Sequence, residues 1–431
     1  MDATGAKPPE LTKKGQIPAV GSAPPSPDGT YSWWMPEESV GQRVREERNL
    51  RGWSQERLAR EARVSPSLVK KVEQEIAPAT QAFVSACATA LNLSAGELIG
   101  LPYARKNADE RRLHATIAPI RRELTAFQVE PEDGVDIRPL DELAKGVARA
   151  GEHRRSVNLA QLGEELPGLL AELRAAVFTW TGHDRDRAYL LLAEAYAAAK
   201  AITYKLGYGD LATMAVDRFQ WAAERSGDEL AVATGHYLRG SELITNADWN
   251  GALRYLERHR ADVEPKIARG SAAVLSVWGS LHLQSALAAA RAGDADLAEG
   301  HLAEAQETAT RVGDNDLYRL AFGPTNVGFW SVGLPVEMMN GTEAVKRSES
   351  VRIGPNAPKS RVGHYYIDLA RGFLLHGDRK SALKSLQKAK ATAPAQTRFH
   401  PMVHETVRQL ARAETRATES VRVFAAWCGV T

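Results

Sequence analysis

Between residues 40 and 98, apolar residues recur every three or four positions, the spacing of helices with one buried side. Val40, Val44 and Leu50 supply the apolar face of a helix expected over residues 37–51, and Gly52 ends it. Ser54 stands where a cap would, ahead of a second helix with Leu58, Ala59 and Ala62 inward. Ser65 then Pro66 is a cap followed by a first-turn proline, so a third helix starts there and buries Leu68, Val69 and Val72. Pro78 and Thr80 introduce a fourth helix with Phe83, Cys87 and Leu91 inside, and Ser94-Ala95-Gly96-Glu97 is a capping box opening a short fifth.

Further along, Leu113, Ile117, Ile120 and Leu124 lie on one stripe of a helix expected over residues 109–127, before a polar loop with Pro131, Asp133, Gly134 and Pro139. From residue 161 onward the pattern repeats. Leu369-Ala370, Phe373, Gly377, Ala382, Leu386, Ala389 and Pro394 match the tetratricopeptide pattern of two antiparallel helices, with small residues where backbones meet and Pro394 stopping the second helix. A second copy holds Ala286, Gly293, Ala298, Leu302 and Ala305, and a weaker one Gly240, Ala252 and Leu256. Residues 188–225 and 323–350 are fainter pairs. The spacing is nearer about forty residues than the usual thirty-four, so the repeats are degenerate. No strand-like alternation of useful length occurs.

These patterns predict an all-α chain in four parts: a disordered, proline-punctuated tail over 1–36, a five-helix unit over 37–101, a helical connector over 102–160, and a helical repeat region over 161–431. Trp33 and Trp34 are the tail's exceptions, expected to dock on the unit that follows, with binding of a partner as the alternative. Such size is expected of 431 residues, too many for one small domain. The net charge of +2 means any basic footprint is local. Arg105, Lys106, Arg111, Arg112, Arg121 and Arg122 make the connector basic, read as a solvated face with auxiliary phosphate contact as the sharper alternative. Cys87 and Cys428 lie far apart in apolar contexts and read as small buried hydrophobes. The N-terminus has no apolar signal core, and no uninterrupted apolar run is long enough to cross a bilayer, so a cytoplasmic protein without membrane contact is expected.

Residues 54–73 carry the clearest chemistry. A helix, a tight turn and a second helix with apolar inner ridges and a basic outer edge can enter the DNA major groove. Gln55 opens the second helix, where outward backbone N–H groups and the positive helix end suit a phosphate. Arg43, Arg45 and Arg57 are further phosphate candidates. On the third helix Ser67, Lys70 and Lys71 face out, and either lysine can donate to guanine O6 and N7.

Residues 40–98 resemble the lambda-repressor-like helix-turn-helix of the XRE family. The matching residues include Ser54-Gln55-Glu56, Leu58-Ala59, Val64-Ser65, Val69-Lys70, Val72-Glu73, Pro78 and Glu97-Leu98. The whole chain resembles the long actinobacterial XRE regulators with C-terminal tetratricopeptide repeats, through Leu211-Ala212, Asp217-Arg218, Phe322 to Val327, Asp368 to Arg371 and His400 to Val403. The resemblance implies that Gln55 binds a phosphate and that the repeats bind a small effector, as related regulators bind short peptides. One departure stands out: the family usually has glycine two residues after the glutamate of helix three, and here that place holds Glu75.

On the concave side of the repeats, Tyr237, Ser241, His364 and Arg371 are inward candidates, with Asn326 and Trp330 on an irregular unit. Asparagine can pair with both N–H and C=O of a peptide; its bland role is capping the helix after Gly323-Pro324. His400 and His404 have metal-compatible spacing but no recurring partner, and are read as capping or solvated; no metal or other cofactor is expected. Gly207-Tyr208-Gly209-Asp210 and the Asp-rich stretches at 293–296 and 313–316 read as inter-helix turns. No catalytic constellation stands out. The chain is therefore expected to be a sequence-specific, non-enzymatic DNA-binding regulator. It would act as a homodimer on a double-stranded operator, modulated by a peptide or small-molecule effector. The alternative is a repeat scaffold with the helix-turn-helix as a docking module.

Overall fold

The computed structural model describes residues 39–102, 108–131, 136–413 and 419–430. The expected tail over 1–36, with Trp33 and Trp34, and the basic pair Arg105 and Lys106 lie outside them. The described residues are helical without strands.

Five short helices come first: α1 Val40–Leu50, α2 Gln55–Ala62, α3 Pro66–Glu73, α4 Gln81–Ala90 and α5 Ala95–Ile99. Each starts at a side-chain cap, from Ser39, Ser54, Ser65, Thr80 and Ser94 respectively, which satisfies N–H groups that the first turn leaves open. Val40, Val44, Leu58, Val69, Val72, Phe83, Cys87, Leu91 and Leu98 form one core. Gly41 lets α1 lie on α3: a Cβ there would stand 2.2 Å from the Val72 carbonyl oxygen. Leu50, expected inside, is 80% exposed. The residue on the Val40–Val44 stripe one turn further on is Arg48, and it is buried instead.

The helix expected over 109–127 is two helices, α6 Ala108–Ala115 and α7 Ile117–Thr125. Pro119 explains the break, since it has no N–H for the Ala115 carbonyl and its ring crowds that group. Ile117, Ile120 and Leu124 are buried as expected, in one core with the helices that follow.

Antiparallel helix pairs build the rest. α8 Leu140–Ser156 pairs with α9 Leu159–Thr179, whose start falls just before the expected boundary at residue 161. α10 Gly182–Lys205 and α11 Gly209–Ser226 follow, then α12 Glu229–Thr245 with α13 Trp249–Val263, and α14 Ala272–Ala292 with α15 Ala295–Val312. The next pairs are α16 Pro324–Glu337 with α17 Gly341–Ser348, and α18 Lys359–His376 with α19 Arg379–Thr392. Every helical repeat read from the sequence, faint ones included, is such a pair. Ala370, Ala382, Leu386 and Ala389 are fully buried at their seam, as are Ala286, Ala298 and Ala305 at theirs. Gly240 meets Leu256, where a Cβ would come within 2.6 Å. Only α14, among the described helices, is long and apolar enough to cross a membrane, and 72% of its apolar window is buried among its neighbours.

The chain ends in α20 Pro394–Arg398, α21 Pro401–Ala413 and α22 Glu419–Cys428. Pro394 therefore opens a short helix, rather than only stopping α19. These last helices return to the first pairs. Arg398 pairs with Glu110 at 2.5 Å, Lys205 Nζ donates to Gln396 Oε1 at 2.6 Å, and Ala393 is buried in the core of α8 to α11. The last helices thereby pack back on the first pairs, and a central cavity lies between them. Both cysteines are buried, and burial pushes the Cys428 thiol up to about 12.

Candidate DNA-reading surface and central cavity

The outer face of α3 is open. Ser67, Lys70 and Lys71 are all exposed, while Val69, Val72 and Glu73 on the other side are buried. Arg45 and Arg57 are exposed as well, and the Arg57 guanidinium stacks 4.7 Å over the Trp53 ring. The geometry brings Ser67, Lys70 and Lys71 together on one helix face, as the spacing predicts.

Gln55 and Arg43 are held in ways the pattern does not show. Arg48 forms a two-pronged pair with Glu73, at 2.7 and 2.9 Å, and donates to the Trp53 carbonyl at 2.7 Å. Gln55 Nε2 donates to the same Glu73 carboxylate at 2.7 Å. One amide N–H of Gln55 is thus committed to orienting the side chain. Arg43 lies across the end of α5: it reaches the Leu98 carbonyl at 3.4 Å, and a Cβ on Gly100 would stand 2.7 Å from its guanidinium. That places Arg43 in a helix-capping position, away from the row on α3. The Arg48–Glu73 pair was legible in principle, because both residues continue apolar stripes one turn beyond Val44 and Val69.

Glu75 adopts the left-handed backbone that glycine takes cheaply, with φ of 60°. Its side chain accepts from Ser39 Oγ and pairs with Arg412 of α21 at 2.5 Å, and its carbonyl accepts from Gln409 at 3.2 Å. Nearby, the Ala79 N–H points at Glu405 of α21 at 3.4 Å, and burial raises that carboxyl above its ordinary value. On the far side of α4, Ser85 donates to the Thr245 carbonyl at 2.9 Å, and Trp249 packs on the small-domain core. The five-helix unit is therefore seated on the repeats through α4 and the turn after α3, with the basic face of α3 turned out.

The cavity measures about 360 Å³. All six inward candidates line it: Tyr237 and Ser241 from α12, Asn326 and Trp330 from α16, His364 and Arg371 from α18. Asn326 is not a cap. The N-cap of α16 is Gly323, and Asn326 sits buried three residues inside. Arg371 is held by Glu337 at 2.9 Å and Asp368 at 2.8 Å, yet its Nη2 has no hydrogen-bond partner. Burial disfavours the Glu337 carboxylate, but Arg291 and Arg371 outweigh it and hold the group down to about 2. His400 caps α21 through the Met402 N–H and borders the cavity, whereas His404, expected capping or solvated, is buried against the Arg398 carbonyl at 2.7 Å.

Other lining residues carry no sequence signal. Arg154 of α8, Lys205 of α10 and Arg361 of α18 meet here from positions far apart in the chain. Burial, then Arg361, Lys200 and Arg154, push the Lys205 ammonium down to about 7. Gln81, in the first turn of α4, reaches the same cavity from the five-helix unit.

Residues 44–98 match the helix-turn-helix family. The match covers the elements described above from within α1 to α5, so this segment is a helix-turn-helix of the XRE type. It supports a DNA-binding transcription regulator, a role that needs no catalytic group. No curated protein matches the chain.

Proposed function

We propose that the protein is a sequence-specific regulator that binds a double-stranded operator as a homodimer and is modulated by an effector held in the repeat cavity. The open, basic face of α3, docked with its reading side outward, carries the DNA half of this reading. Lys70 or Lys71 reads a base, Ser67 supports it, and Gln55, Arg45 and Arg57 contact phosphates. Arg43 acts by fixing α1 to α5. The repeats are of tetratricopeptide type, with longer helices, and the protein works in the cytoplasm.

Gln81 supports the effector half. A ligand in the cavity would touch the first turn of α4 directly, so the ligand-bound and ligand-free forms would differ in how the reading unit is seated. A ligand that favours one seating shifts operator affinity by its difference in affinity for the two.

Selection of bound duplexes from a random pool, followed by anisotropy titration at fixed salt, tests the reading. Recovery of an inverted repeat bound by a dimer is expected. Binding with no preferred sequence would instead leave the helix-turn-helix as a docking module on a repeat scaffold.

A further inference from the structure

The cations around the cavity fall into two groups. Arg371 and Arg291 face Glu337, Arg319 faces Glu194 at 3.1 Å, and Arg155 faces Asp316 at 2.6 Å. Arg154, Lys205 and Arg361 form no such ion pair among the described residues, although Asp316 and Glu194 favour the charge on Arg154 from further off. Their hydrogen bonds go to neutral groups: the carbonyls of Arg319 and Leu320, the amide oxygen of Gln396 and the Tyr237 hydroxyl. The three are close enough for Arg361 and Arg154 both to disfavour charge on Lys205. Arg361 also draws the Tyr237 hydroxyl below its ordinary value, against the effect of burial. Clustered, partly buried cations are unfavourable unless negative charge balances them.

Apolar side chains share the lining with polar ones. Along α10 the cavity side passes from Leu190, Ala193 and Ala197 to Lys200 and Lys205, a rise of roughly 22 Å end to end. Trp330 and Phe329 add an aromatic wall from α16. The unpartnered Nη2 of Arg371 and the buried, unpartnered Oε1 of Gln284 are both in the lining.

We propose that the cavity binds a small organic anion, a carboxylate or phosphate ester with an apolar body, whose charged group is held by Arg154, Lys205 and Arg361. This rests on reading the cavity as the effector site. It adds the ligand's chemical class and a protonic signature. A bound anion stabilises the Lys205 ammonium, so a proton is taken up on binding just above pH 7.

The full chain is titrated calorimetrically with benzoate, phenyl phosphate and benzamide, with thermal unfolding in parallel. Benzoate or phenyl phosphate is expected to bind and raise Tm, and benzamide, of the same shape without charge, is not. The tighter of the two anions tells carboxylate from phosphate. At pH 8 the apparent binding enthalpy should change with the ionisation enthalpy of the buffer, and that change should vanish in Lys205→Met. Arg361→Gln should weaken anion binding by about tenfold or more, the loss of one charged hydrogen-bonding group. Failure of both anions to bind, equal binding of benzamide, or unchanged binding in both variants would overturn the proposal. The wild-type comparisons stand even if a variant misfolds. Operator anisotropy separates the two levels: anion binding without any change at the operator removes the effector role and keeps the anion site. A response at the operator to the neutral analogue does the reverse.

Discussion

The DNA-reading face and the cavity both depend on positive charge, yet they are built in opposite ways. On α3 the lysines are neighbours in sequence, exposed and solvated, and the helix they share sits on a small core of its own. Such charges retain their water and their full value for a phosphate or a base edge. In the cavity the cations come from α8, α10 and α18, are partly desolvated, and repel one another. The first arrangement attracts a large polyanion from solution. The second would discriminate among small ligands on the proposed reading, because an unmatched charge in a partly buried site is costly.

Buried carboxylates hold each region together, and removing them is the severest way to break the comparison. Glu337→Ala leaves Arg291 and Arg371 buried without their shared partner, and Glu73→Ala leaves Arg48 so. Each is expected to cost about 3–5 kcal/mol in urea unfolding, with Arg371 keeping Asp368 in the Glu337 variant. A loss under about 1 kcal/mol at either position would contradict the assigned role. The Glu337 carboxyl is depressed from 4.5 to about 2 in the folded protein. Its stabilisation is therefore complete above pH about 4.5 and disappears as pH falls towards 2. Glu337→Gln should flatten that part of the stability profile.

A finer separation comes from Lys70→Ala, which should cost about 1–3 kcal/mol of specific operator binding and leave benzoate titrations unchanged. An unaltered anisotropy curve on the selected operator would remove Lys70 from the base-reading role. At the joint between the regions, Glu75→Ala keeps the left-handed backbone but loses the Arg412 pair. About 1 kcal/mol of destabilisation is expected, and a double-mutant cycle with Arg412→Ala should return most of it as coupling. Smallest of all, Gln55→Ala should weaken every duplex by about 0.5–1 kcal/mol alike. A loss confined to one base position would contradict a phosphate contact.

Much of the small unit was legible because its signals are local. Caps at Ser54, Ser65 and Ser94 and the i, i+4 stripes need only neighbouring residues to act, and the structure has each of them. Leu50 failed because the stripe through Val40 and Val44 continues at Arg48, and a buried arginine is tolerated only once Glu73 faces it from another helix. In the repeats, small residues at helix seams marked the pairs, and the inward candidates share one cavity. Arg154, Lys205 and Arg361 left no trace, since each alone is an ordinary basic residue on a helix.

The chain's own pattern was enough to determine the helices, the exposed row on α3 and the paired architecture, because helix periodicity and capping act within a few residues of each other. The return of the last helices to the first pairs, the gathering of cations in the cavity between them and the seating of Gln81 and Glu75 against distant helices were decided by tertiary packing. Those contacts join residues up to 337 positions apart, and nothing in local spacing encodes which distant faces will meet.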